Sequence, residues 1–168
     1  MNNRHKVAVI MGSDSDLPTL KPLFKTLKKF DIDFDAKVCS AHRTPDKAAS
    51  LAKNAKADGF EVIIAAAGKA AHLPGVLAAF TTLPVIGIPI MSSTMDGLDS
   101  LLSIVQMPSG IPVATVAIDG AENAAILAAQ IIAVADEEMS LKLQRFKEEL
   151  AKKVEDKNTA LMAKLAEI

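Results

Sequence analysis

The sequence Val7-Ala8-Val9-Ile10-Met11 is an unbroken apolar run that ends at Gly12. Its length and its β-branched residues predict a strand buried on both faces, as in a parallel sheet. Further strands are predicted in residues 34–39, 62–66, 83–88 and 112–118, with Pro89 closing the fourth strand. The chain is therefore expected to build a five-stranded parallel sheet.

Segments with helical periodicity separate these strands. Residues 17–30 form an amphipathic pattern in which Pro22 is expected to delay or kink the helix. Further helices are predicted after Pro45 to near Gly59, and in residues 76–80, 98–105 and 122–135. Strands and helices that alternate at this spacing imply right-handed crossovers and a sheet covered on both faces. We expect a three-layer flavodoxin-like α/β fold with a central parallel β-sheet.

The composition of the chain changes beyond Asp136. With 168 residues, half of them hydrophobic, the chain is most simply one core, and we assign residues 1–135 to a flavodoxin-like catalytic domain. Residues 136–168 are predicted to form a long C-terminal helix. Its apolar stripe consists of Leu141, Leu143, Phe146, Leu150, Val154, Leu161 and Leu165. The stripe must be covered either by the chain's own domain or by another subunit, and an oligomer interface is favoured.

Charge and composition argue against several classes of protein. The formal net charge is -1 without a long basic run, which disfavours a nucleic-acid partner. No apolar run reaches the roughly 20 residues needed to span a bilayer, and residues 1–6 lack a signal-peptide pattern. Cys39 is the single cysteine, which excludes an intrachain disulfide and fits a reducing compartment. A cytoplasmic location is expected.

The stretch Ser40-Ala41-His42-Arg43-Thr44-Pro45 follows a predicted strand and precedes a helix. An α/β protein usually keeps its site at such a position. The guanidinium of Arg43 can grip a phosphate, and the Ser40 hydroxyl can add a short hydrogen bond. The imidazole of His42 can take and return a proton near neutral pH. Thr44 and Pro45 are predicted as the N-cap and first residue of the next helix.

A second polar loop, Gly12-Ser13-Asp14-Ser15-Asp16, follows the first strand. It lacks the glycine spacings of a Walker loop or a dinucleotide fingerprint. The hydroxyls of Ser13 and Ser15 at a helix N-terminus could cradle a phosphate, or the loop could be only a capping cluster. An aspartate facing a phosphate would repel it, so at least one of Asp14 and Asp16 is expected to point elsewhere, either to cap the helix or to accept hydrogen bonds from sugar hydroxyls.

A third loop, residues 68–75, carries Gly68, Lys69, His72 and Leu73 after the third strand. Its small residues allow the main chain to approach a ligand closely, and His72 is either a ligand contact or a structural histidine. His5 is expected to lie in a frayed terminus without a role. With three histidines and one cysteine in the chain, a closed metal site is not predicted, and Cys39 is expected to be a small buried residue rather than a nucleophile.

These three loops, together with residues 99–108, resemble the PurE family of purine biosynthesis. The resemblance covers residues 7–135. It implies a flavodoxin-like subunit of a homo-octamer that acts on aminoimidazole ribonucleotides without metal or organic cofactor. It also implies an upstream ATP-dependent synthetase that supplies N5-carboxyaminoimidazole ribonucleotide (N5-CAIR).

The family has a mutase branch and a carboxylase branch. The mutases move a carboxyl group of N5-CAIR from the exocyclic nitrogen to ring carbon C4, giving 4-carboxyaminoimidazole ribonucleotide (CAIR). The carboxylases use aminoimidazole ribonucleotide (AIR) and CO2 directly. Arg43 and the run Ala71-His72-Leu73-Pro74-Gly75 match the mutases, which is the branch we predict. Lys69, where mutases usually carry glycine, and the short loop of residues 119–123 depart from the mutase pattern.

The resemblance also implies roles for individual residues. His42 would be the general acid/base, and Asp16 would bind the ribose hydroxyls. The 5′-phosphate would be held by Ser13, Ser15, Ser40 and Arg43. Gly68, Lys69, His72 and Leu73 are expected to contact the substrate in a tight pocket that retains CO2.

Functions of other classes remain as alternatives. A nucleotide-sensing module on the same fold would need Ser40 and Arg43 but not the imidazole of His42. A flavin carrier fits poorly because the chain has neither Trp nor Tyr. A phosphoacceptor receiver domain would need an aspartate at a strand end, where this chain carries Gly12, Ser40 and Gly68.

Overall fold

The computed structural model describes residues 5–166, and within this range its centre is a five-stranded sheet with parallel pairing throughout. The strands are β1 (Lys6–Met11), β2 (Asp33–Val38), β3 (Val62–Gly68), β4 (Val85–Ile90) and β5 (Ala114–Thr115). They lie in the order β2-β1-β3-β4-β5. This is the strand order of flavodoxin-like sheets, so the predicted fold class is confirmed.

Helices cover both faces of the sheet and complete three layers. They are α1 (Leu17–Lys29), α2 (Pro45–Asn54), α3 (Leu73–Phe80), α4 (Leu98–Val105), α5 (Ala121–Ala133) and α6 (Glu137–Leu165). Side chains of α1, α5 and the start of α6 form one core with the sheet. Side chains of α2, α3 and α4 form a second core on the opposite face.

The apolar run of β1 serves both cores at once. Successive side chains of a strand point to opposite faces, so Val7 and Val9 lie in one core while Ala8 and Ile10 lie in the other. All four are at most 5% exposed. The unbroken apolar pattern that predicted a doubly covered strand therefore has this physical origin.

Two prolines do not set the helix and strand boundaries predicted for them. Pro22 does not delay α1, which begins at Leu17. Pro18 and Pro22 are both exposed, so water can reach the Pro18 carbonyl that lacks a helical donor. Pro89 does not end β4, which continues to Ile90.

Strand β4 tolerates Pro89 because of the backbone hydrogen bonding on the side of β4 that faces β5. The Pro89 carbonyl accepts a hydrogen bond from the Asp119 N–H on that side. Since the N–H and C=O of one strand residue face the same neighbour, the missing proline donor also faces β5. Regular pairing there has already ended at Gly87 and Thr115, so no ladder bond is lost.

Two other boundaries differ from prediction. The third helix begins at Leu73 rather than at Val76, because Pro74 falls in its first turn, where a missing N–H costs nothing. The fifth strand is only Ala114–Thr115, shorter than the predicted residues 112–118. Beyond it, single backbone bonds such as that from Val116 N–H to the Gly87 carbonyl keep the chain beside β4.

Helix α6 has two unlike halves. Met139 and Leu143 are buried, and the Phe146 ring meets Phe30 edge to face at a centroid distance of 5.5 Å. From Leu150 onward the described side chains are exposed. The first half thus packs on its own domain, whereas the second half has no cover within the described chain. No helix in residues 5–166 combines the length and apolarity needed to cross a membrane.

His5 is not in a frayed segment, contrary to expectation. Its Nδ1 lies 2.8 Å from Glu61 Oε2, and its Nε2 lies 3.1 Å from Asp136 Oδ2. Asp136 is also the N-cap of α6, where its Oδ1 accepts a hydrogen bond from Met139 N–H. His5 therefore joins the start of β1 to the start of α6. Residues 1–4, which were considered for a signal peptide, lie outside the described part.

Candidate functional site

An open cavity of about 680 Å³ lies at the carboxyl ends of β1 to β4. Loops after neighbouring parallel strands meet at this edge, which is where ligands bind in such sheets. The cavity brings together every site residue predicted from the sequence: Ser13, Ser15, Asp16, Ser40, His42, Arg43, Gly68, Lys69, His72 and Leu73.

The loop after β1 folds back on itself through its hydroxyl groups. The Ser15 hydroxyl donates to Ser13 Oγ at 2.8 Å, and Ser13 Oγ also accepts from the Ser15 N–H. The carboxylate of Asp16 accepts from the Ser13 N–H, which completes a capping box. Asp16 is thus turned into its own loop, which is one of the two orientations predicted for an aspartate of this loop.

Burial raises the pKa of Asp16. Hydrogen bonds from the Ser13 N–H and from Ser15 oppose this rise, whereas repulsion from Asp14 and Asp119 adds to it. The loop therefore holds a buried carboxylate, 8% exposed, that would gain from further hydrogen-bond donors.

The loop after β2 is held by side-chain bonds to its own backbone. Ser40 Oγ accepts from the Arg43 N–H at 3.2 Å. Thr44 is the N-cap residue and Pro45 the first residue of α2, as predicted. However, Thr44 Oγ1 bonds to the Ser40 backbone rather than to the helix. Cys39 is 2% exposed in the core beneath, as expected for a small buried residue.

Two imidazoles from separate segments meet inside the cavity. His42 Nε2 lies 2.7 Å from His72 Nδ1, and the rings stand nearly perpendicular with centroids 4.9 Å apart. At that distance one nitrogen carries the hydrogen and the other offers a lone pair. The two rings therefore hold complementary protonation at the facing atoms, which makes them a unit that can store and pass one proton.

The loop after β3 contains a strained residue. Lys69 has a φ of 58°, in the left-handed region where a side chain costs about 1 kcal/mol or more relative to glycine. Gly68 beside it approaches β4 so closely that a Cβ would lie 3.3 Å from the Ile90 carbonyl oxygen. Leu73 is 2% exposed at the start of α3 and provides an apolar wall.

Arg43 and Lys69 are the cations of the cavity, and neither has an acidic partner among the residues that the structure describes. Two unpaired cations, clustered hydroxyls and an imidazole pair are suited to an anionic ligand that undergoes proton transfer.

Sequence reasoning missed the contribution of the loop after β4. Met91, Ser92 and Ser93 also line the cavity. Asp119 holds this loop by accepting a hydrogen bond from the Met91 N–H at 2.9 Å. The sequence carried no signal for this loop, because its place at the site follows from the pairing of β4 with β3, which the hydrophobic pattern does not specify.

Comparisons with known proteins identify the family to which the chain belongs. Residues 6–153 match the family model described as AIR carboxylase. The chain is 59% identical over 145 residues to N5-carboxyaminoimidazole ribonucleotide mutase of Pyrococcus abyssi, covering 86% of this chain and 83% of that protein. It is 55% identical over 152 residues to the protein of the same name from Thermotoga maritima, covering 90% and 89%. Its fold is similar to the crystal structure of Treponema denticola PurE, with a TM-score of 0.86 and 32% identity over 94% of this chain and 99% of that one.

Proposed function

The chain belongs to the AIR carboxylase family, also called the PurE family, and from this premise we propose that it is an N5-CAIR mutase of purine biosynthesis. Relatives that are 59% and 55% identical carry the mutase name, which supports this branch. The observation that carries the proposal is the cavity in which the His42–His72 pair lies beside clustered hydroxyls and Arg43.

Substrate binding is assigned to the two serine-bearing loops. Arg43 presents its planar fork to the 5′-phosphate, and Ser13, Ser15 and Ser40 add hydrogen bonds to the phosphate oxygens. Asp16 accepts hydrogen bonds from the ribose hydroxyls. The raised pKa of Asp16 supports this role, because new donors favour the charged carboxylate that burial disfavours.

The chemistry requires one proton to be given and one to be taken. His42 protonates the exocyclic nitrogen, so that the N–C bond breaks with its electron pair moving to nitrogen, and CO2 leaves. Ring carbon C4 then attacks the CO2 and forms a new C–C bond. His42 removes the proton from C4, which restores the aromatic ring of the ligand and returns the His42 side chain to its protonated form. The reaction is an intramolecular carboxyl transfer without net use of acid or base.

The CO2 formed between these steps must stay in the cavity. The loop that carries Gly68, Lys69, His72 and Leu73 is assigned to enclose it, with Leu73 excluding water. We place the catalytic domain in residues 1–135 and assign residues 136–168 to an oligomer interface. A homo-octamer in the cytoplasm, supplied by an ATP-dependent N5-CAIR synthetase, completes the proposal.

The test compares two substrates with the purified protein in the absence of ATP and metal. One is N5-CAIR, and the other is AIR with dissolved CO2. Formation of CAIR from N5-CAIR at low CO2 is expected. The carboxylase is the second candidate, favoured by the cation Lys69 in the cavity, and a preference for AIR with CO2 would establish it instead. Turnover of neither substrate would support a binding module.

A further inference from the structure

We propose that Lys69 is the residue by which this protein recognises the carboxyl group of its ligand, and hence distinguishes carboxylated imidazole ribonucleotides from uncarboxylated ones. This inference rests on the proposed function and deepens it. Lys69 is a specificity-determining residue here, and no proton transfer is assigned to it.

The backbone of Lys69 is the first observation. Its φ of 58° lies in the region that favours glycine, and its side chain is exposed. An exposed side chain gains little packing that could offset such strain. Asp119 is also left-handed, but aspartate tolerates this region and its carboxylate holds the Met91 N–H. Strain at a cavity-lining lysine therefore points to an interaction that forms only with a ligand.

The free charge of Lys69 is the second observation. Lys6, Lys29 and Lys142 each reach a carboxylate at 3.1 Å or less. Lys69 forms no such pair within the described chain, although it lines a cavity that also contains Asp16. Its ammonium is thus available to an anionic group of a ligand.

The position of Lys69 separates it from the phosphate site. Arg43 follows β2 and the serine loop follows β1, whereas Lys69 follows β3 on the other side of β1. With roughly 4.8 Å between neighbouring strands, the ends of β2 and β3 are roughly 10 Å apart. The cavity therefore carries Arg43 after β2 and Lys69 two strands away after β3, with the His42–His72 pair on segments that follow the same two strands.

The ligand proposed for this cavity carries an anion at each of its ends. When the 5′-phosphate lies at Arg43 and the serine loops, the imidazole extends toward β3 and its carboxyl group toward Lys69. An ammonium attracts the carbamate of N5-CAIR and the carboxylate of CAIR. It gains nothing comparable from the neutral imidazole edge of AIR.

The experiment measures binding of CAIR and AIR by calorimetry to the full chain and to two variants. Lys69→Asn removes the charge but tolerates the left-handed backbone, and Lys69→Arg keeps the charge. Lys69→Asn is expected to weaken CAIR binding roughly tenfold to a hundredfold, the effect of one lost charge-assisted hydrogen bond, and to leave AIR binding within about twofold. Lys69→Arg should retain most of the discrimination.

Equal losses for CAIR and AIR in Lys69→Asn would overturn the proposal, since Lys69 would then act on the whole anionic nucleotide. Unchanged binding of both would also overturn it. The proposed function is judged separately on the unmodified protein. If that protein converts N5-CAIR while Lys69→Asn keeps its discrimination, the inference about Lys69 fails alone. If the unmodified protein neither converts N5-CAIR nor binds either ribonucleotide, the proposed function fails as well.

Discussion

His42 and His72 are 30 residues apart in the chain, yet their Nε2 and Nδ1 atoms lie 2.7 Å apart. Each histidine reaches the meeting point from the carboxyl end of a different strand, β2 for His42 and β3 for His72. The hydrogen bond ties the protonation of one ring to that of the other. Replacing one histidine at a time can therefore show which of the two rings exchanges a proton with a ligand.

His42→Asn is expected to retain nucleotide binding and to lower turnover of N5-CAIR by at least about a hundredfold. The amide is similar in size to the imidazole but cannot exchange a proton, and general acid/base catalysis contributes about this much or more. Steady-state kinetics together with calorimetric binding of CAIR measure the two effects. His5→Asn serves as the matched control outside the cavity. Near-normal turnover in His42→Asn, with loss in His72→Asn, would transfer the catalytic role to His72.

Arg43→Ala is expected to weaken binding of CAIR roughly tenfold to a hundredfold, because a charge-assisted contact to the phosphate is lost. Arg43→Lys should give an intermediate affinity, since it keeps the charge without the planar fork. The dephosphorylated nucleoside is the control ligand, and its affinity should not depend on residue 43. An equal loss for nucleoside and nucleotide would remove the phosphate role of Arg43.

The cluster of His5, Glu61 and Asp136 (the His5 cluster) predicts that the free energy of unfolding depends on pH. Burial opposes the charged form of His5, but hydrogen bonds and attraction from Glu61 and Asp136 outweigh it and raise the pKa of His5 above 6.5. Its stabilising contribution is therefore complete below pH 6.5 and is lost as the pH rises through the folded-state pKa. The side chain is 23% exposed and its partners more so, which limits the contribution to below about 1 kcal/mol.

Melting curves of the unmodified protein and of His5→Gln, recorded between about pH 6 and about pH 9, test the direction of this pH dependence. The difference between them should be largest near about pH 6 and shrink toward about pH 9. Asp136→Asn keeps an acceptor for the Met139 N–H but removes the charge, so it should lower the pKa of His5 measured by NMR. A difference that grows with rising pH would contradict the assignment.

Phe146→Ala is expected to lower the free energy of unfolding by about 2 kcal/mol. The half-buried ring packs against the edge of Phe30 and supports the first half of α6 on α1. Lys147→Ala, one residue further along the exposed side of the same helix, is the control and should change stability by less than about 0.5 kcal/mol. Chemical denaturation of both variants provides the comparison.

Truncation after Glu149 is expected to reduce the number of subunits in the assembly while the subunit stays folded. Residues 150–165 extend roughly 24 Å as a helix, and Val154, Leu161 and Leu165 are each more than half exposed within the single chain. Light scattering measures the mass, and circular dichroism reports the fold. Truncation after Asp136 would not separate an effect on assembly from an effect on folding, because it also removes the buried Met139 and Leu143. A mass that corresponds to an unchanged number of subunits would exclude the outer half of α6 from the interface.

The sequence was sufficient for the fold because the three central strands β1, β3 and β4 are buried on both faces. Such strands are continuous apolar runs, as in β1 and β3, and the helices between them force parallel pairing. The order β2-β1-β3-β4-β5 was not predictable, since hydrophobic runs do not specify their neighbours. The delay expected from Pro22 and the strand end expected at Pro89 were predicted wrongly, because the cost of a missing N–H depends on its surroundings in three dimensions.

The candidate site was predictable to the extent that it follows from strand ends. Every loop identified from its polar residues lines the cavity. The bond between His42 and His72 and the left-handed backbone of Lys69 depend on local geometry that spacing does not encode. His5 was misjudged for a similar reason, because its partners Glu61 and Asp136 are distant in sequence.

The His5 cluster lies at the amino ends of the strands, whereas the cavity lies at their carboxyl ends, with the full length of β1 between them. Substitutions that adapt the chain to heat or acidity can therefore accumulate around Glu61 and Asp136 without reshaping the ligand site. Directed evolution could select substitutions at the two edges of the sheet in separate libraries and then combine the best variants. Substitutions at distant sites without shared partners change the free energy of unfolding additively. The sheet therefore separates a cluster that affects stability from the residues that line the ligand site.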